Sequence, residues 1–129
     1  EVQKRREEAE RAGIRRWNII TDPGLGFAKT TAHNLQILKE GERFAGMLGG
    51  PVLWGGSRKR FIQDVAGVEV AAERDAGTHA AHMYAVGKDS TGGSMVRVHD
   101  VAGAAQAAKI WDAIRNAEGK GGGGRGKFG

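Results

Sequence analysis

Three short runs rich in apolar and β-branched residues, at 14–21, 51–54 and 94–98, stand roughly 40 residues apart with helical patterns between them. That interval is too long for a hairpin and suits parallel strands joined by right-handed helical crossovers. The chain is therefore expected to be α/β, in the order helix, strand, helix, strand, helices, strand, helix. Three parallel strands leave two open edges, and sheets of this class are larger or close into a barrel. No internal duplication supplies more strands, so they are expected from a second chain, a second copy or another part of the gene product.

Within that frame the local signals divide the chain. Residues 1–12 read as a charged helix with Glu7 and Arg11 at i,i+4 spacing, and Gly13 stands at its C′ position. Residues 30–39 form a second helical pattern closed by Gly41, after which Phe44, Met47 and Leu48 cover apolar surface in a glycine-dotted stretch. Residues 51–54 are continuously apolar, as in a strand buried on both faces. A helix over 58–65 puts Phe61, Ile62 and Val65 on one face and breaks at Gly67, and another lies within 69–86 with no fixed start. Residues 87–93 read as a loop. Asp100 caps the last helix, 101–117, whose stripe is Val101, Ala104, Ala105, Ala108, Ile110, Trp111 and Ile114.

With 129 residues, 40% of them apolar and 27% charged, the chain is long enough for one domain with a buried core. That domain is expected to occupy residues 1–117, and 118–129 to be a disordered glycine-rich basic tail, too poor in apolar residues to order itself. The net charge of +5 raises the question of nucleic acid. The charge is dispersed, however: Lys4, Arg5, Arg6 and Arg11 alternate with Glu7, Glu8 and Glu10. In the tail Arg125 is solitary and Phe128 is the one aromatic available for stacking. No nucleic-acid partner is expected, and the basic balance suits phosphorylated, anionic substrates. No apolar run of about 18 residues is present, so no membrane partner is expected either. The absence of cysteine removes disulfides and thiolate metal sites. With no apolar leader at the amino terminus, a cytoplasmic location is expected; the alternative is mitochondrial, as part of a longer eukaryotic-type polypeptide.

Each of the three runs ends in polar chemistry, and in parallel α/β folds the carboxyl ends of the strands are where loops converge on ligands. The first gives way to Asp22-Pro23-Gly24-Leu25-Gly26-Phe27-Ala28-Lys29. A desolvated Asp22 accepts a bidentate hydrogen bond from an amino-heterocycle such as a guanine-like or pterin ring; the alternative is a solvated acid in an Asp-Pro turn. Gly24 and Gly26 allow positive φ and close approach of backbone to ligand. Phe27 offers a ring for stacking, or is a core anchor, and spacing leaves these even. The second run leads to Gly55-Gly56-Ser57-Arg58-Lys59. Ser57 sits at the expected amino terminus of the next helix, as an N-cap, as part of an anion site, or both. Lys59 suits a carbonyl and a ring nitrogen, and Arg58 a structural partner; the spacing of a phosphate-binding P-loop is absent. In the third, Arg97 and His99 alternate on one face of a strand end, forming an oxyanion clamp in which Arg97 also stacks on an aromatic ligand. His33, His79 and His82 read as helix-surface or helix-packing residues, with no metal site among them.

Together, Asp22 to Lys29, Ser57-Arg58-Lys59-Arg60-Phe61-Ile62 and Arg97-Val98-His99-Asp100-Val101 closely resemble the sixth, seventh and eighth strand-end motifs of dihydropteroate synthases. Asn34-Leu35 and Ala72-Glu73-Arg74-Asp75 are supporting matches, and the resemblance runs in order from about residue 11 to 117. It implies a partial TIM (β/α)8 barrel with three parallel strands and intervening helices, and a transferase that joins p-aminobenzoate to 6-hydroxymethyl-7,8-dihydropterin pyrophosphate, releasing pyrophosphate. By position, the resemblance gives Asp22 and Lys59 the pterin, Arg97 the pterin ring and pyrophosphate, and His99 the pyrophosphate. Gly26, Phe27 and Ser57 would line the aminobenzoate site. Lys59, Arg97 and His99 would carry the chemistry, assisted by Mg²⁺ whose main protein ligand belongs to an amino-terminal half.

The chain departs from the family at Gly56, where proline or another residue is usual, and at Trp54, bulkier than the usual small aliphatic. It also lacks the first five strands, so no turnover is expected from it alone. The implied partners are the two substrates, a complementary amino-terminal half, a fused pterin pyrophosphokinase, and a second copy bound through the last helices. A non-catalytic pterin- or phosphate-binding half-barrel, or one subunit of a split enzyme, is the alternative.

Overall fold

A computed structural model describes residues 1–91 and 93–118. The expected tail therefore lies outside the described residues, Glu118 apart. Six helices, α1 (Val2–Arg11), α2 (Thr31–Lys39), α3 (Gly41–Leu48), α4 (Arg60–Ala66), α5 (Asp75–Lys88) and α6 (Val101–Arg115), surround two parallel strands, β1 (Val52–Trp54) and β2 (Ser94–Val96). Val52 pairs with Ser94, Leu53 with Met95 and Trp54 with Val96. Alternation along β1 puts Val52 and Trp54 on the helix side, where both are fully buried. They join Leu25, Leu38, Ala45, Leu48, Phe61, Ile62 and Ala85 in one core between strands and helices. Leu53, on the opposite side, is partly exposed, and its pairing partner Met95 is exposed. The expectation of β1 buried on both faces is thus corrected: helices cover one face only. Strands on the inside with helices wrapped around one face make this part of a (β/α) barrel.

The expected first strand is also corrected. Arg16–Asn18 is a single 3₁₀ turn, and parallel pairing shrinks to one bridge between Thr21 and Val52. Thr21 donates its amide to Pro51 O at 3.0 Å and accepts from Leu53 N at 2.7 Å. This run has a partner on one side only, and Pro23 stops the ladder just beyond the bridge. The three-strand order nevertheless survives as Thr21, β1, β2, all running the same way.

Gly41 does not close α2; it opens α3, which follows directly. A Cβ there would stand 3.3 Å from Ala85 O and 3.5 Å from Trp54 Cζ2, so the glycine marks close approach of α3 to α5. Its sequence signal is the same as that of a stop. The fourth helix starts at Arg60, later than expected, and buries Phe61 and Ile62 while Val65 points to solvent. On α6 only Ala104 is buried, and Val101, Ile110 and Ile114 stay exposed, so α5 covers just part of the expected stripe. Among the described residues, no helix is long and apolar enough to cross a membrane.

Candidate active site

Because Thr21, β1 and β2 are parallel neighbours, the residues that follow them emerge at one rim. Asp22 follows the Thr21 bridge, Gly55 to Lys59 follow β1, and Arg97 to His99 follow β2. Arg97 N extends the ladder one step by donating to Trp54 O at 3.0 Å. The side chains then meet across the rim: Arg97 Nη2 donates to Asp22 Oδ2 at 3.2 Å, joining residues 75 positions apart.

The loop after Thr21 is built around its own carboxylate. Asp22 Oδ1 accepts from Gly24 N at 2.7 Å, an Asx turn that holds the carboxylate in place. The chain turns back through Gly24 and Gly26, at φ 71° and 84°. Gly26 N donates to Asn34 Oδ1 at 2.8 Å, and Asn34 is itself buried on α2. Leu25 is fully buried and anchors the loop from below. Phe27, left open between stacking ring and core anchor, is 67% exposed and stands outside the core. Lys29, which carried no expected role, donates to Gly24 O at 2.9 Å and Phe27 O at 3.2 Å and so closes the loop.

Lys59 lies over this loop. Its Nζ donates to the carbonyl of Leu25 and sits 4.4 Å from the centroid of the Phe27 ring. Burial pushes its ammonium below the ordinary lysine range, Arg97 and Lys29 push the same way, and Asp22 opposes them. Lys59, Asp22, Arg97 and Phe27 therefore belong to one electrostatic cluster. A cleft of about 500 Å³ opens beside it, lined by Gly26, Phe27, Lys59 and Asn34 among others.

Ser57 and His99 form the other corner. Ser57 Oγ lies 2.7 Å from His99 Nδ1 and accepts the His99 amide at 3.2 Å. The expectation of Ser57 as an N-cap is corrected: α4 begins three residues later, its N-cap residue is Lys59, and no side chain caps it. The intervening residues are taken up by a turn closed by Lys59 N donating to Gly56 O at 3.2 Å, with Arg58 at φ 58°. A left-handed arginine costs about 1 kcal/mol, so the turn must be held. Arg58 meets a structural partner as expected, reaching both Asp75 oxygens at 2.9 and 3.0 Å. Their hydrogen bond holds the Asp75 carboxyl below the usual carboxylate range and raises the guanidinium. All seven expected site residues, Asp22, Gly26, Phe27, Ser57, Lys59, Arg97 and His99, thus stand along one rim.

Asn34, Thr78 and His82 were not singled out for the site, yet each holds a site backbone amide. His82 is a buried residue of α5 that accepts Gly56 N at 2.9 Å, and Thr78 Oγ1 accepts Arg58 N at 3.0 Å. His79 packs against the cap of α6, its Nε2 2.9 Å from Asp100 Oδ2, while Asp100 Oδ1 accepts Gly103 N at 3.0 Å. Asn34 stands among the supporting matches named above, and an asparagine inside a helix, where propensity disfavours it, is a second clue to it. Among the described residues, no group of three or more His, Asp or Glu side chains is arranged to hold a metal ion.

Comparison with known proteins gives the family. The chain is 41% identical over 116 residues to the dihydropteroate synthase of Haemophilus influenzae, covering 90% of this chain and 40% of that protein. It is 39% identical over 122 residues to a folate synthesis bifunctional protein of Arabidopsis thaliana, covering 88% of this chain and 25% of that one. The fold superposes on Xanthomonas albilineans dihydropteroate synthase in complex with 7,8-dihydropteroate with a TM-score of 0.83, at 41% identity, over 89% of this chain and 42% of the other. The chain thus spans well under half the length of the relatives it matches. A profile of the pterin binding enzyme family matches residues 1–99, three quarters of the sequence, and this chain belongs to the pterin binding enzymes.

Proposed function

We propose that the chain is the carboxyl-terminal part of a dihydropteroate synthase, contributing the pterin-facing rim to the condensation of 6-hydroxymethyl-7,8-dihydropterin pyrophosphate with p-aminobenzoate. The observation that carries this is the meeting of Asp22, Lys59 and Arg97 from three separate strand ends. Asp22, fixed by the Gly24 amide, presents an acceptor to the amino-heterocycle edge. Lys59, partly desolvated, donates to the ring's carbonyl and nitrogen and exchanges its bond to Leu25 O for the ligand. Arg97 leaves Asp22 to lie against the ring and reach the pyrophosphate, which His99 also contacts. Ser57 meets the aminobenzoate carboxylate, beside Gly26 and the exposed Phe27.

In the reaction, the carbon–oxygen bond to pyrophosphate breaks, and the arylamine nitrogen bonds to the resulting methylene carbon and loses its proton. Arg97 and His99 stabilise charge on the departing anion, the main lever in reactions of this kind, while Lys59 holds the ring from which it leaves. No covalent nucleophile is needed. In this reading the main protein ligand of magnesium belongs to the portion of the barrel outside this chain.

That portion is the partner this reading needs, joined in the same polypeptide or supplied as a separate subunit; a fused pterin pyrophosphokinase and pairing with a second copy belong to the same proposal. The location is cytoplasmic, with mitochondria as the alternative, a plant relative being named as a mitochondrial protein. A coupled assay for dihydropteroate tests the assignment. Turnover is expected when the complementary portion is added and none from this chain alone; robust activity from the isolated chain overturns it. Titration of a pterin analogue against the chain and Lys59→Ala separates a working pocket, whose affinity Lys59→Ala lowers to a weaker but measurable Kd, from a fragment that binds nothing.

A further inference from the structure

The turn between β1 and α4 carries two site residues, Ser57 and Lys59, and three of its backbone groups are held by one edge of α5 and the residue that precedes it. Gly56 N donates to His82 Nε2 at 2.9 Å, Arg58 N donates to Thr78 Oγ1 at 3.0 Å, and Arg74 Nη1 donates to Arg58 O at 2.9 Å. Arg74, Thr78 and His82 stand at i, i+4 and i+8, so a single edge meets three backbone groups of the turn, Arg58 O, Arg58 N and Gly56 N in that order. Each is at least nine-tenths buried: Arg74 is 8%, Thr78 0% and His82 1% exposed. Arg74 also holds Val68 O, Glu69 O and the Gln63 side chain, tying the far end of α4 to the same edge.

Packing alone does not explain this edge. His82 is a polar ring in the core that makes one hydrogen bond, and its Nδ1 has no partner among the described residues. What the ring gains from burial is the fixed Gly56 amide. The Thr78 hydroxyl oxygen likewise accepts the amide of Arg58, the one residue of the turn in the left-handed region.

We propose that Arg74, Thr78 and His82 are positioning residues: they lock the backbone of the β1–α4 turn so that Ser57 faces His99 and Lys59 lies over the Asp22 to Phe27 loop. The ligand readout of this inference rests on the pterin site proposed above; its geometric readout does not.

The test uses the full chain, ¹⁵N-labelled, with Thr78→Val, Thr78→Ser, His82→Leu and His82→Gln. Amide exchange at Arg58 is expected to quicken at least tenfold in Thr78→Val and to stay near wild type in Thr78→Ser. Gly56 behaves in the same way in His82→Leu, with His82→Gln restoring protection through its amide oxygen. If His82→Leu fails to fold, the near-isosteric Thr78→Val decides. In the second arm, calorimetric titration with 6-hydroxymethylpterin gives a severalfold weaker Kd for Thr78→Val, and no further weakening when the same change is made in Lys59→Ala, because Thr78 acts through Lys59. Unchanged amide exchange in Thr78→Val, or an equal loss of affinity with and without Lys59, overturns the inference. A wild-type chain that binds no pterin sinks the proposed site, and the exchange arm then decides the positioning role by itself.

Discussion

Mild acid should weaken the fold through His82. Burial, the first cause, holds this imidazole down at about 4 against the ordinary 6.5, with the charges of His79 and Lys59 acting in the same direction. The unfolded chain takes up the proton near pH 6.5, whereas the folded chain takes it up only near 4, so the unfolded state binds more protons throughout that interval. Stability is therefore intact above pH 6.5 and falls as the pH drops to 4, by 1.36 kcal/mol per unit, or about 3 kcal/mol in all. Against a typical total of 5–15 kcal/mol that is a large share. The carboxylates of Asp75, Asp89 and Asp100, held below 3.8 by their partners, contribute stability that is lost only further down. Urea unfolding at steps from about pH 7.5 to 4.5 measures the slope. In His82→Gln, which keeps an acceptor for Gly56 and cannot titrate, the slope over this window should shrink by most of that amount. Equal slopes in the two proteins would refute the assignment of a neutral, buried His82.

Gly26→Ala adds a Cβ 2.7 Å from Lys59 Cδ at a φ of 84°. It should cost about 1 kcal/mol of stability from backbone strain and weaken pterin binding severalfold; in Lys59→Ala the stability cost should remain while the affinity cost disappears, by thermal melts and calorimetry. Phe27→Ala should change stability by less than about 0.5 kcal/mol, because the ring is 67% exposed, while weakening aminobenzoate binding to the reassembled enzyme. A loss of more than about 2 kcal/mol would make Phe27 a core anchor after all. Leu48→Ala, at a fully buried position of the core, should cost about 3 kcal/mol by urea unfolding. Thr30→Ala removes the oxygen that accepts His33 N at 3.2 Å and should cost about 1 kcal/mol.

The rim was legible because three strand ends, each followed by charged and glycine residues, could converge only if the strands were parallel neighbours, and the length of the connections demanded that they were. The termini of α1 and α6 were also readable: Gly13 at φ 98° and the Asp100 cap are local chemistry. What stayed hidden depends on distance. Gly41 looks like a helix stop, and only the closeness of α5 and Trp54 shows it as a packing site. Residues 17–20 have the composition of a strand, but pairing needs partners, and one edge of this run has none among the described residues. Val65 has the right helical phase, yet it is exposed among the described residues. His82 and Thr78 carry no motif of their own, since their role is defined by a backbone in a different element.

The most direct test is an NMR titration of the labelled chain with 6-hydroxymethylpterin, following the Lys59 and Arg97 side chains and the Gly24 amide that reports on Asp22. If the three stretches make one site, all three signals move along a single saturation curve with the same Kd, and Asp22→Asn weakens the response of the other two. Movement of one signal alone, or three curves with different midpoints, would contradict a shared pterin site.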